Sequence, residues 1–157
     1  MKDKALSMAY RYLSFKDRTE QELVKYLEKK EFTEVVIIEV IDKLKEYNYL
    51  NDQRYMQNFH RYQTQTKGYG PLRVQYNLQQ KGISKDKYQE FEGQSESDYY
   101  TIALKIGLKK LKDKRDLDSL RKLYAFLLRR GYSPAVVSKV INTLKDKENF
   151  HEDSLYN

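Results

Sequence analysis

From Gln53 to Lys85 the chain carries no Asp or Glu, yet Arg54, Arg61, Lys67, Arg73 and Lys81 recur through it, interleaved with Tyr55, Phe59, Tyr62, Tyr69 and Tyr76. Guanidinium and ammonium groups without neighbouring carboxylates seek anions: they pair with acidic side chains or phosphates, and amides such as Asn58 and Gln65 add uncharged hydrogen bonds. A second basic concentration comprises Lys105, Lys109, Lys110, Lys112, Lys114 and Arg115, then Arg121, Lys122, Arg129 and Arg130, opposed only by Asp113, Asp116 and Asp118. Charge at that density attracts polyanions over a distance, and the attraction fades with salt.

Other chemistries find little support. His60 and His151 are the only histidines and neither stands at metal-ligand spacing from another ligand; there is no cysteine, hence neither a disulfide framework nor a thiolate metal site. Gly68-Tyr69-Gly70-Pro71 resembles a phosphate loop only superficially, since the Lys-Ser/Thr ending and a preceding strand are missing. Carboxylates are numerous, but none is isolated in an apolar setting that would mark an acid–base pair. The expectation is a protein without catalytic residues, metal or cofactor.

The elements that must position the cations come from an internal repeat. Leu23 pairs with Val74 and Leu123, Leu27 with Leu78 and Leu127, and Lys30 with Lys81 and Arg130. Phe32, Ile83 and Tyr132 follow, then Thr33, Ser84 and Ser133. Copies one and three stay in register through Val36/Val136, Ile37/Val137, Val40/Val140, Ile41/Ile141 and Leu44/Leu144. A repeat of this kind marks a stacked array whose units cannot bury their apolar faces alone.

Apolar spacing is helical throughout, with no sustained alternation. Helices are expected near 4–15, 19–30 and 33–47, near 52–66, 71–81 and 84–91, and near 98–112, 117–130 and 134–147. Thr19 and Glu22 are spaced as a capping box, Thr33 caps the next helix, Pro71 suits a first turn, and Gly82 and Gly131 suit left-handed helix stops. Glu31 takes the place of those glycines, so the first turn is expected to differ. Helical spacing puts Arg54, Asn58, Arg61 and Gln65 on one face and Tyr55, Phe59 and Tyr62 on another, predicted to be core. The architecture predicted is all-α: three tandem three-helix repeats forming an elongated, curved array. Its divisions are repeat 1 over 1–50, repeat 2 over 51–92, a loop or hinge at 93–97, repeat 3 over 98–148 and a frayed tail at 149–157.

Net charge is +7, with 39% hydrophobic and 34% charged residues, enough for a thin core distributed over small units. Ten basic residues balance ten acidic ones in 1–50; seven against five in 51–96 leave +2, and thirteen against eight in 97–157 leave +5. The excess sits in copies two and three and favours a polyanionic partner. No apolar run reaches membrane-spanning length and the Met1-Lys2-Asp3-Lys4 start is not a signal peptide, so a soluble cytoplasmic protein is expected.

Ala5-Leu6 through Tyr12-Leu13-Ser14, with Arg18-Thr19-Glu20-Gln21-Glu22-Leu23, resembles the opening repeat of the RecX family of bacterial recombination regulators. Tyr49-Leu50-Asn51-Asp52-Gln53-Arg54-Tyr55 is similar to a passage of that family, Asn51 replacing the usual acid. Lys67-Gly68-Tyr69-Gly70-Pro71-Leu72-Arg73-Val74, Leu78 and Lys81-Gly82-Ile83 match its most distinctive run, and copy three matches loosely through Leu127, Arg130-Gly131-Tyr132 and the helix after Ser133. The resemblance implies three tandem three-helix repeats, a cytoplasmic location and a role in DNA repair and the SOS response. The partner it implies is the RecA recombinase filament on DNA, whose groove the protein occupies without catalysis, limiting filament growth, strand exchange and ATP hydrolysis.

The residues assigned to filament or DNA binding are Arg54, Arg61, Lys67, Arg73, Lys81, Lys109, Lys110, Arg121, Lys122, Arg129 and Arg130, acting by electrostatic positioning. DNA phosphates are a second target of the same cations, and a monomer is expected. The alternative is a direct DNA-binding module of helix-turn-helix outline. Against it, no copy displays the Arg/Asn/Gln cluster of a base-reading helix.

Overall fold

A computed structural model describes residues 1–92 and 96–146. Among them are α1 (Lys2–Phe15), α2 (Glu20–Lys29), α3 (Glu34–Glu46), α4 (Asp52–Arg61), α5 (Pro71–Gln80), α6 (Lys85–Phe91), α7 (Glu96–Leu111), α8 (Leu117–Arg129) and α9 (Pro134–Lys145), with a π-helical turn at Tyr62–Thr66 and no strand. Gly93, Gln94 and Ser95 of the expected hinge and the expected tail at 149–157 lie outside the described residues; α7 already begins at Glu96.

The caps explain where the helices start. The Thr19 hydroxyl accepts from the Glu22 N–H while the Glu22 side chain accepts from the Thr19 N–H, closing the expected capping box. Thr33 and Ser133 cap α3 and α9 by accepting from Val36 and Val136, and Asp116 caps α8 by accepting from the Ser119 N–H. Hydrogen bonding from Ser119 holds the Asp116 carboxyl below the usual carboxylate range.

The chain divides into two compact units, Met1–His60 with Asn77–Gln89, and Arg61–Tyr76 with Glu90 onward. In the first, α1, α2 and α3 pack around Ala5, Ala9, Leu23, Leu27, Val40 and Leu44, all fully enclosed. In the second, α7, α8 and α9 enclose Ala103, Leu104, Leu123, Leu127, Val137, Val140 and Leu144. The repeat register recurs here as core: each leucine or valine so enclosed contributes about 1.5–3 kcal/mol relative to exposure.

Each copy closes its second helix with the same turn. Glu31 and Phe32 donate to the carbonyls of Glu28 and Leu27, Gly82 and Ile83 to those of Gln79 and Leu78, and Gly131 and Tyr132 to those of Leu128 and Leu127. This paired bonding is a Schellman stop, and its central residue is left-handed in all three, with φ +67° at Glu31, +92° at Gly82 and +99° at Gly131. The expected difference at Glu31 is confined to detail, a lower φ than at either glycine; the bond pair and the buried Phe32 hold a non-glycine residue in the same turn.

The predicted helix over 52–66 changes character after Arg61. The Lys67 N–H reaches back five residues to the Tyr62 carbonyl, and the widened turn carries Gln63 and Thr64 inward. Tyr62, predicted to be core with Tyr55, instead lies half outside at 50% exposure, because the buried stripe of this segment is centred on Met56, His60, Gln63 and Thr64, with Tyr55 at its margin and Tyr62 beyond it. Buried His60 meets the Tyr88 hydroxyl through Nδ1 at 2.8 Å, and no group of residues suited to a metal ion occurs among the described residues.

Candidate functional site

Each unit contains one joint in which the start of one copy's second helix docks on the end of the next copy's. In the first unit the Thr19 hydroxyl donates to the Lys81 carbonyl, and the Gln21 side chain packs where a Cβ on Gly82 would stand. Lys81 Nζ pairs with Glu22 at 3.7 Å, and Asp52 accepts from the Glu20 N–H at 2.8 Å. Burial raises the Asp52 pKa, while that hydrogen bond pulls the other way.

In the second unit the main chains themselves meet. The Gly70 N–H donates to the Arg130 carbonyl at 2.7 Å and the Leu72 N–H to the Gly131 carbonyl at 3.0 Å. A Cβ on Gly70 would collide with the Gly131 and Tyr132 backbone, and one on Gly131 with the Arg73 backbone. The Tyr132 hydroxyl donates to the Gly68 carbonyl at 2.8 Å, and burial pushes that phenol's pKa upward.

Cations and rings gather around this second joint. The Tyr69 ring is flanked by the guanidiniums of Arg73 at 4.7 Å and Arg130 at 4.6 Å. Arg130 also lies 5.5 Å from the Phe126 ring, which carries the Lys110 ammonium at 3.7 Å; Lys67 stands 5.8 Å from the Tyr62 ring. Arg130 further donates to the Lys67 carbonyl and Arg73 to the Arg129 carbonyl. Among the described residues no carboxylate lies within ion-pair distance of Lys67, Arg73, Lys110, Arg129 or Arg130. Aromatic faces hold such cations in place, at about 0.5–2 kcal/mol each, without neutralising them. The assembly is thus a charged surface fixed in position, able to meet several anionic oxygens at once.

The other assigned residues are distributed differently. Arg54 donates to the Asn48 and Tyr49 carbonyls and so clamps the turn after α3 in the first unit. Lys81 is engaged by Glu22, and Lys122 pairs with Asp118 at 3.2 Å on an exposed face of α8. Arg61, Lys109, Arg121 and Arg129 are exposed. Phe126 and the role of Tyr69 escaped the sequence reading. A signal was present: Tyr26 and Phe126 are equivalent in the register pairing Leu23 with Leu123, each four residues before a cation, and Lys30 stands over Tyr26 at 5.7 Å much as Arg130 stands over Phe126.

Comparison with known proteins gives a consistent answer. Residues 5–44, 51–90 and 96–141 match the models of the first, second and third three-helix domains of RecX. The regulatory protein RecX of Streptococcus agalactiae serotype V is 38% identical over 152 residues, covering 92% of this chain and 58% of that protein. That of Bacillus cytotoxicus is 30% identical over 159 residues, covering 98% and 59%. The chain therefore spans under two thirds of the length of these relatives. A crystal structure of RecX from Lactobacillus salivarius shares the fold with a TM-score of 0.82 at 23% identity, over 91% of this chain and 96% of that one. A crystal structure of another regulatory protein RecX gives 0.77 at 25%, over 90% and 71%.

Proposed function

Because the chain belongs to the RecX family of regulatory proteins, we propose that it regulates homologous recombination and DNA repair by binding the RecA–DNA filament in its groove, without catalysis. Filament growth, strand exchange and ATP hydrolysis are slowed as a result. The observation that carries this reading is the carboxylate-free group of Lys67, Arg73, Lys110 and Arg130 set on Tyr62, Tyr69 and Phe126, with Arg129 exposed beside them. Fixed, unneutralised cations suit a polyanionic surface, which in a nucleoprotein filament is the phosphate backbone and the acidic side chains beside it.

Arg61, Lys109, Arg121 and Lys122 extend the field around that group; Arg54 and Lys81 act in the first unit mainly by holding turns. The protein works as a monomer in the cytoplasm, and no described helix is long and apolar enough to cross a membrane.

The test is a titration against naked duplex, RecA alone, and RecA assembled on single-stranded DNA with nucleotide. Binding strongest to the assembled filament, weakening steeply with salt, is the expected result. Equal or tighter binding to bare duplex replaces this reading by direct DNA binding. Lys109→Glu with Lys110→Glu should raise the inhibitory concentration about tenfold and flatten the salt slope by roughly one unit per lost contact, with helicity unchanged.

A further inference from the structure

The first unit carries a groove that the cationic site does not use. It measures about 440 Å³ and is lined by Val24, Phe32, Ile37, Ile38 and Ile41, with Glu20, Glu28, Glu34 and Asp42 completing its lining. Phe32, Ile37 and Ile41 are buried and form its floor, whereas Ile38 is 52% exposed and neighbouring Val35 67% exposed. Lys45 pairs with Glu20 at 3.4 Å; among the described residues Glu28, Glu34 and Asp42 have no ion pair.

Copy three shows that the fold does not require this surface. In the register joining Ile37 with Val137 and Leu44 with Leu144, the core positions stay aliphatic. Groove positions change: Ile38 corresponds to Ser138, Glu34 to Pro134, Asp42 to Asn142 and Glu28 to Leu128, and Val35, exposed beside the groove, corresponds to Ala135. The same three-helix packing thus stands without large exposed aliphatics on α9 and without the carboxylates. Exposed apolar area costs free energy in water, and its coincidence with unpaired acids in one copy needs a cause outside the fold.

We infer that this groove is a docking site for a basic amphipathic helix of a partner protein. Apolar residues of that helix, one turn apart, sit on Ile38 and Val35 and enter the floor formed by Phe32, Ile37 and Ile41. Lysines or arginines flanking them meet Glu28, Glu34 and Asp42. Charge decides the choice of occupant: an acidic helix would face three uncompensated carboxylates, and nucleic acid is repelled by the same groups. The inference goes beyond the filament reading and does not rest on it, since the groove and the cationic group belong to different units.

The probe is a fluorescently labelled synthetic helix with leucines spaced by four residues and lysines beside them, titrated into the full chain. Two control peptides replace the leucines by serine or the lysines by glutamate. The parent peptide should bind and shift NMR resonances around Ile38, and both controls should bind at least about tenfold more weakly. Ile38→Ser with Val35→Ala, the residues copy three carries, should weaken binding about tenfold while helicity and RecA filament inhibition stay unchanged. Glu28→Lys with Glu34→Lys should remove the salt dependence. Equal binding by the serine peptide, undiminished binding by the Ile38→Ser, Val35→Ala chain, or resonance shifts confined to other helices would each overturn the proposal. A chain that takes the peptide normally but fails to inhibit the filament would sink the filament reading alone.

Discussion

The two joints solve one docking problem with opposite chemistry. In the register that pairs Leu23 with Val74, Thr19 corresponds to Gly70 and Glu22 to Arg73. The first joint is closed by side chains: a hydroxyl donates to the Lys81 carbonyl and the Glu22 carboxylate engages the Lys81 ammonium. The second is closed by main chains, brought together by Gly70 and Gly131, which releases Arg73 and Arg130 to stack on Tyr69. One exchange of acid for guanidinium therefore separates a self-satisfied contact from a surface with cations to offer. The difference teaches that the repeat fold sets where helices meet, while capping and stacking residues decide whether charge is consumed there.

Substitutions that add a Cβ should break this comparison most sharply. Gly131→Ala drives a methyl into the Arg73 backbone and should cost about 3 kcal/mol or more; Gly82→Ala meets the Gln21 amide, which can swing away, and the Gln21 Cβ, which cannot, and should cost about 2 kcal/mol. Urea titrations of both variants test the order, and a Gly82→Ala cost equal to or above that of Gly131→Ala would contradict the division into main-chain and side-chain joints.

Tyr132→Phe takes a hydroxyl from the second joint alone, leaving the Gly68 carbonyl without that donor. A loss of about 1–2 kcal/mol in thermal or urea unfolding is expected. No loss at all would place the cohesion of that joint in the glycine contacts rather than in the tyrosine.

Glu31→Gly should act in the other direction. The residue is exposed and left-handed, so glycine relieves backbone strain of about 1 kcal/mol and raises the unfolding midpoint. A destabilised variant would show that the glutamate side chain contributes something its exposure conceals.

The smallest effect is in pH dependence. Asp52, in the first unit, has a folded pKa above its ordinary value, so the stability it contributes is present at low pH and is lost as pH rises through the folded pKa. Asp116, in the second, is lowered, so its contribution is present above the ordinary aspartate range and is lost as pH falls through the folded pKa. Relative to wild type, Asp52→Asn should lose ground on acidification and Asp116→Asn should gain it. Unfolding curves recorded from neutral pH down through the carboxylate range would check both signs.

The helices were legible because their signals are local. Thr19 with Glu22, Thr33, Ser133, Pro71 and the glycines at 82 and 131 all occupy the positions their types and spacing suggest. The repeat register likewise gave the core, down to Val40 with Val140 and Leu44 with Leu144. What stayed hidden depends on contacts between residues far apart in the chain. Nothing local to Arg73 announces the Arg129 carbonyl it meets or the second guanidinium, Arg130, on the Tyr69 ring, nor does the stretch after Arg61 signal the π turn that carries Gln63 and Thr64 inward. Counting cations located the charged segments; it did not separate Lys81, already answered by Glu22, from Lys110, which is not.

Position 31 bears on any attempt to lengthen the molecule. Since the turn forms there without glycine, the glycines at 82 and 131 record an occupied neighbour rather than a bend. An engineer grafting a fourth module ahead of Ala5 through the same joint would first have to replace Glu31, because its β-carbon fills the space the incoming helix needs. The substitution that lifts stability most cheaply is thus also the one that opens the scaffold to extension.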